Sequence, residues 1–327
     1  MRQSYMNSKQ HRSYVFKRKF SSALVKTFRT LFFIGLVYLF IFPLLYLFVT
    51  AFQSADSINN PNVMWIPDSL TLDSMKTALE VLDYGKSVLL SVVISVGSTA
   101  AALFSCSLVG YGFARFKFAE RNLAFALVVL TIIVPPPAIV LSSYVNFRFF
   151  DFGGLLKLLE PIIGYDHVNL IGSPLTFILP SLFACGLRSG LFIFIFRQFF
   201  QGMSKDLEEA AKIDGCGPFK TYYRIIVPLA VPAFITVLLF GFIWHWNDVF
   251  TSSMYFMGGS QPISVKLSGI YDALSKADIF MTGAMTQSEM RTYAAAGCLL
   301  TILPPLVIYI FTQKYFTESI ERTGIVG

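Results

Sequence analysis

The side chains that could do chemistry are few and widely spaced. Three histidines (His11, His167, His245) and four cysteines (Cys106, Cys185, Cys216, Cys298) lie far apart. No CxxC or Cys/His spacing points to a metal or redox centre, and isolated cysteines in apolar runs read as small buried hydrophobes. No HExxH or Ser/His/Asp set marks a catalytic centre, and no GxxxxGK[ST] marks a nucleotide site. What remains is the chemistry of recognition. Arg188 stands inside the apolar run LFACGLRSGLFIFIF, where an ionised group is costly and is by default a functional candidate. Its structural alternative is a pair with an acid on a neighbouring helix, or with carbonyls at a kink. Trp244, His245, Trp246, Asn247 and Asp248 follow one another in WHWNDVF. Trp246, Asn247 and Asp248 could line a pathway, with Asn and Asp bonding hydroxyls and indole stacking on rings, or they could form an interfacial aromatic belt.

The most informative stretch is 199–232, FFQGMSKDLEEAAKIDGCGPFKTYYRIIVPLAVP. It reads as two short helices. Ser204 can cap the first, and Asp206, Glu208 and Glu209 place negative charge where the helix dipole favours it. Lys205 with Glu209 and Glu208 with Lys212 are i,i+4 pairs. Gly215 suits the left-handed residue just past a helix end, and Pro218 suits the start of the next helix. Tyr222, Ile225 and Ile226 give that helix an apolar stripe. A membrane-lying amphipathic loop would instead show a lysine-rich polar face opposite large apolar residues. The acidic start and the small residues at the centre describe a knob that another chain can approach closely.

Long apolar elements must position these residues. The chain has 327 residues, 55% hydrophobic and only 14% charged, with mean hydropathy +0.63. Apolar runs of about twenty residues match the thickness of a bilayer core. They do not alternate as barrel strands do. Six spans are predicted: 30–52, 87–114, 122–147, 174–197, 228–251 and 293–311. Eighteen of the 26 lysines and arginines fall at 1–29, 115–121, 197–227 and 312–327, and seven in the remaining loops. The excess places the first group, with both termini, in the cytoplasm. The same rule accounts for the net charge of +7 without nucleic acid. The first apolar run is longer than a signal-peptide core and lacks an A-x-A site, so it reads as a retained helix. Pro135, Pro136 and Pro137 predict a kink in the third span, and Pro304 and Pro305 another in the sixth.

EAAKIDGCGPFKTYYRIIVP resembles the EAA signature of permease subunits in binding-protein-dependent ABC importers. The resemblance carries to Glu209, Ala210, Ala211, Asp214, Gly215, Ile225 and Pro228; Cys216 replaces the usual alanine and Val227 the usual leucine. FIFPLLYLFVTAFQSADSI, MWIPDSLTLDSMKTAL, GYGFARFKFAERNLAF and WNDVF are similar to further parts of carbohydrate permeases of the maltose-importer small-subunit type. The resemblance implies an all-α membrane protein of the type I ABC importer permease fold, with six transmembrane helices and a cytoplasmic coupling helix between spans 4 and 5. It divides the chain into a basic segment (1–29), a permease domain (30–316) with its coupling loop at 199–228, and a short cytoplasmic tail (317–327). It implies a homologous permease partner, two ATPase subunits that hold ATP and Mg, an extracellular solute-binding protein and a carbohydrate substrate. The chain itself then binds no cofactor and catalyses nothing. Arg188 departs from the family, which has small residues there, and the outer insert at 148–173 exceeds the family norm. An ABC permease for a non-sugar solute is one competing reading, and the competing class is an ATP-independent secondary transporter. It is expected to show internal repeats, and no convincing one is seen.

Overall fold

The computed structural model describes residues 2–58, 69–281 and 286–324. Residues 59–68, which carry part of the expected first outer loop, and the last three residues of the tail lie outside them. The described residues form helices, with two isolated antiparallel bridges at Gln53–Leu70 and Phe150–Val168. Three helices are long and apolar enough to cross a bilayer unbroken: Ser22–Phe52, Tyr84–Arg115 and Gln287–Lys314. Two bent pairs add to them, Arg121–Ile133 with Pro136–Arg148 and Pro218–Leu229 with Val231–Trp246.

The expected boundaries are corrected in three places, and the kink expected at Pro135–Pro137 is present. The first helix runs from Arg2 to Phe52, through residue 29 without a break. The third span bends by 100° at Val134–Pro135, where the three prolines remove backbone donors. The stretch expected as the fourth span is two helices, Leu175–Leu182 and Ser189–Gly202, separated by non-helical backbone at Phe183–Arg188, and it is not among the five segments long and apolar enough to cross a bilayer. The fifth begins at Val231, after a 77° bend, with Pro228 in the short turn before it. Pro304 and Pro305, by contrast, lie inside the helix Gln287–Gly324 without ending it.

The helix Tyr84–Arg115 is the axis of the bundle. It packs against Leu175–Leu182, Ser189–Gly202, Val231–Trp246 and Ile263–Ser268. Its sequence explains this position. Ser87, Ser91, Ser95, Ser98, Thr99, Ala102, Ser105, Cys106 and Gly110 are all buried along it. Such small residues let helices close to van der Waals contact where lipid supplies no hydrophobic drive between them. Several of the hydroxyls bond between elements: Ser91 Oγ accepts from Ile263 N–H at 2.8 Å, and Ser105 Oγ donates to the Ser181 carbonyl at 2.6 Å. The latter bond lies at the start of the break in the fourth span, about 15 Å along the axis from Arg115.

Gly110 sets the tightest approach. A Cβ there meets Phe196 Cβ at 2.6 Å and the Arg197 backbone nitrogen at 3.1 Å. Gly110→Ala is therefore expected to force the Ser189–Gly202 helix outward at a cost of about 1–3 kcal/mol. A lowered melting temperature of the purified protein checks this, and an unchanged one contradicts the close approach. The first helix is the opposite case. None of its most apolar stretch is buried. It touches the bundle mainly through the helix Gln287–Gly324 and offers Leu31, Phe32, Phe33, Leu39 and Phe40 outward.

Candidate functional site

Two regions collect the residues singled out above. The first is a knob at the Arg115 end of the bundle. It holds the helix Asp206–Ile213, the turn at Gly215, the helix Pro218–Thr221 and a π-turn over Tyr222–Ile226. Lys205 is the helix's backbone cap, and Ser204 Oγ accepts from the Asp206 N–H at 3.2 Å. The helix ends as a glycine requires. Gly215 has φ +73°, its N–H donates to the Lys212 carbonyl at 3.0 Å, and the Cys216 N–H donates to the Ala211 carbonyl at 2.8 Å. These two bonds satisfy carbonyls left over at the helix end and reverse the chain. Pro228 and Pro232 have no N–H to continue the ladder, and the chain bends into Val231–Trp246.

The expected i,i+4 pairs do not form. Glu208 instead turns inward to the axial helix, where its Oε1 lies 2.7 Å from Arg115 Nε, with the side chains only 13% and 5% exposed. Tyr111 O–H donates to the same oxygen at 3.3 Å, and Arg115 Nη2 donates to the Met203 carbonyl at 3.0 Å. Tyr222 O–H donates to Ser107 Oγ at 2.7 Å. Its ring centroid is 5.0 Å from that of Tyr111, which in turn stands edge-on to Phe200. Ala211 and Ile226 are buried beneath. The inner side of the knob is thus fixed to the bundle by an ion pair, two tyrosine hydroxyls and an aromatic cluster.

The outer side is left open. Glu209, Ala210, Asp214, Gly215 and Pro228 are exposed, and Ile225 is half-buried. Ile213 and Phe219 are 86% and 75% exposed, high values for large apolar side chains next to charged ones. Residues Glu209, Ala210 and Asp214 share this open side, whereas Ala211 faces the bundle. Arg115 and Tyr111 are the functional residues the linear reading missed. GYGFAR showed an arginine at a span end, yet nothing local pairs it with a glutamate 93 positions away.

The second region is a cleft of about 490 Å3 at the break in the fourth span. Its walls come from the bent third span and from Pro180 through Ile193, with Thr251 and Tyr255. Arg188 is in this cleft. It is not within a helix but at the break, with φ +60°, and its Cζ stands 5.6 Å from the centre of the Trp244 ring. Trp244 also stacks on Phe192 and Phe240.

The other pathway candidates sit elsewhere. Trp246 is 1% exposed, in a cluster with Leu82, Phe242 and Ile270, and its Nε1–H donates to the Thr301 carbonyl at 3.2 Å. Two residues turn a helix through about 200°, so Trp244 and Trp246 face opposite ways. Asn247 is exposed at the end of its helix. Asp248 caps the helix Phe250–Tyr255, its Oδ2 accepting from the Ser252 N–H at 2.8 Å and hydroxyl at 3.0 Å. None of the three lines the cleft.

Comparison with known proteins follows the same architecture. The family model described as "Binding-protein-dependent transport system inner membrane component" matches residues 106–322. The chain is 26% identical to the polygalacturonan/rhamnogalacturonan transport system permease protein YtcP of Bacillus subtilis over 290 residues, 88% of this chain and 93% of that protein. It is 27% identical to the arabinooligosaccharides transport system permease protein AraQ of Halalkalibacterium halodurans, covering 95% and 100% of the two chains. Among solved structures, a chain of a bacterial ABC transporter involved in the import of the acidic polysaccharide alginate superposes with TM-score 0.71 at 20% identity, over 90% of this chain and 98% of that one. That likeness concerns the fold.

Proposed function

This chain belongs to the family of binding-protein-dependent transport system inner-membrane components, and from that premise we propose that it is a carbohydrate permease subunit of an ATP-driven importer. With a homologous subunit it forms the passage for a saccharide handed over by an extracellular solute-binding protein. Its termini and the 199–228 segment face the cytoplasm, where two ATPase subunits hold ATP and Mg. Relatives whose names specify polygalacturonan, rhamnogalacturonan and arabino-oligosaccharides support the carbohydrate class.

The observation that carries this reading is the two-sided knob. Its inner side is fixed to the axial helix through Arg115 and Glu208, and its outer side presents Ile213 and Phe219 to the solvent. Such a part transmits force. A push on the outer side reaches the axial helix, because the ion pair and the Tyr222–Ser107 bond leave little slack. The axial helix packs on the broken fourth and fifth spans, so its movement changes the cleft. Glu209, Ala210, Asp214 and Gly215 then belong to the docking surface, with Pro228 exposed near it, while Ala211 and Ile225 support it from below.

The test is uptake of labelled oligosaccharide into vesicles carrying the assembled complex, with binding protein outside and nucleotide enclosed. Uptake that requires hydrolysable ATP supports the reading. Uptake that persists without ATP makes the chain a secondary transporter instead.

A further inference from the structure

The cleft at the break of the fourth span contains one charged side chain and no counter-charge. Arg188 lines it, and no Asp, Glu, Asn or Gln does. Among the described residues, no carboxylate lies within ion-pair distance of Arg188. The arginine is nevertheless held in place. The Trp244 ring lies 5.6 Å from its guanidinium. Its backbone takes φ +60°, and Ala184, at the other end of the break, takes φ +57°. Left-handed backbone is unfavourable for a residue that carries a Cβ, and such strain persists where surrounding structure enforces it, often at ligand sites. The helix Ser189–Gly202 starts at once, and its Gly190 is pressed onto the bent third span, where a Cβ would come within 2.9 Å of the Val128 carbonyl.

A guanidinium at membrane depth is costly until something pairs with it, and its planar fork matches a carboxylate with two parallel hydrogen bonds. The walls offer hydroxyls that suit any saccharide, and among their side chains Arg188 is the one group that distinguishes an anionic ligand from a neutral one. We infer that the cleft takes an acidic saccharide, with a uronate-type carboxylate on Arg188 and adjacent hydroxyls on wall side chains such as Thr131 and Ser143. The Trp244 ring, itself outside the cleft walls, steadies the guanidinium by a cation–π contact. The inference rests on the carbohydrate reading above and narrows it to anionic chains.

The experiment is equilibrium binding to the intact importer complex in lipid nanodiscs, read by tryptophan fluorescence, with trigalacturonate and the neutral trisaccharide maltotriose as probes. Trigalacturonate is expected to bind at least about tenfold more tightly, the scale of a charge-assisted pair, and the advantage to shrink as salt rises. Arg188→Gln is expected to abolish the advantage and Arg188→Lys, which keeps the charge but loses the fork, to retain only part of it. If Arg188→Gln fails to assemble, Arg188→Lys is the deciding variant. Equal affinity for the two probes, or an advantage that survives both substitutions, overturns the acidic assignment while leaving the carbohydrate reading in place. Binding of neither probe overturns the site, and absence of ATP-driven oligosaccharide uptake by the same complex overturns the carbohydrate reading itself.

Discussion

Replacing Arg115 with methionine is expected to detach the knob from the axial helix. The Arg115–Glu208 pair has side chains only 5% and 13% exposed, so removing the cation leaves a carboxylate facing Tyr111 in a site closed to water. Breaking a buried pair from one side costs about 3–5 kcal/mol, a large share of a membrane domain's stability. Glu208 must then swing out to solvent, which also breaks the Tyr111 bond and loosens the Tyr222–Ser107 contact. The complex should lose most coupled transport and melt earlier. Arg115→Met/Glu208→Met is the informative partner, because it removes both charges and leaves none unpaired. It is expected to recover much of the melting temperature, and the double-mutant cycle gives the coupling energy. A single Arg115→Met as stable as the parent would show that the pair does not hold the knob.

The second large effect comes from the other side of the same element. Ile213 is 86% exposed and Phe219 75% exposed. Ile213→Asp removes no internal contact of consequence, so the chain's own stability should change by less than about 0.5 kcal/mol. If these side chains seat in a cleft of the ATPase, truncating or charging one of them acts at a desolvated anchor, where losses of about 2 kcal/mol or more are usual. Ile213→Asp is therefore expected to release the ATPase on purification, or to leave hydrolysis uncoupled from uptake, with an unchanged melting temperature of the permease part. The contrast with Arg115→Met separates the roles: one substitution weakens the fold and the other only the docking.

Much of this arrangement was legible in the chain because it depends on local chemistry. Apolar runs marked the three unbroken long helices and the two bent pairs. Gly215 marked the helix end, since the turn needs a left-handed residue, and Pro135–Pro137 and Pro228 marked places where a ladder of hydrogen bonds stops. The features that escaped are those set by contacts between distant residues. Glu208 has Lys212 one turn away, yet burial against the axial helix makes Arg115 the stronger partner, and no local pattern reveals that. The break at Phe183–Arg188 follows an apolar run with Pro180 and Gly186, which a hydropathy reading carries straight across. Trp246 rather than Trp244 is the pathway residue in the linear reading, because periodicity alone does not say which face of Val231–Trp246 meets the bundle. The serines of the axial helix drew no reading from the sequence, because only packing shows them to be the surface that lets four other elements approach.

The measurement that bears most directly on the account is site-specific photo-crosslinking in cells. A photoreactive residue replaces Ile213 in one strain, and Lys157, on the helix Leu155–Ile163 at the other end of the bundle, in a second. The account predicts that position 213 forms an adduct with the importer's ATPase subunit, and that position 157 does not. An ATPase adduct from position 157 with none from 213 would contradict both the docking role of the knob and the orientation of the chain.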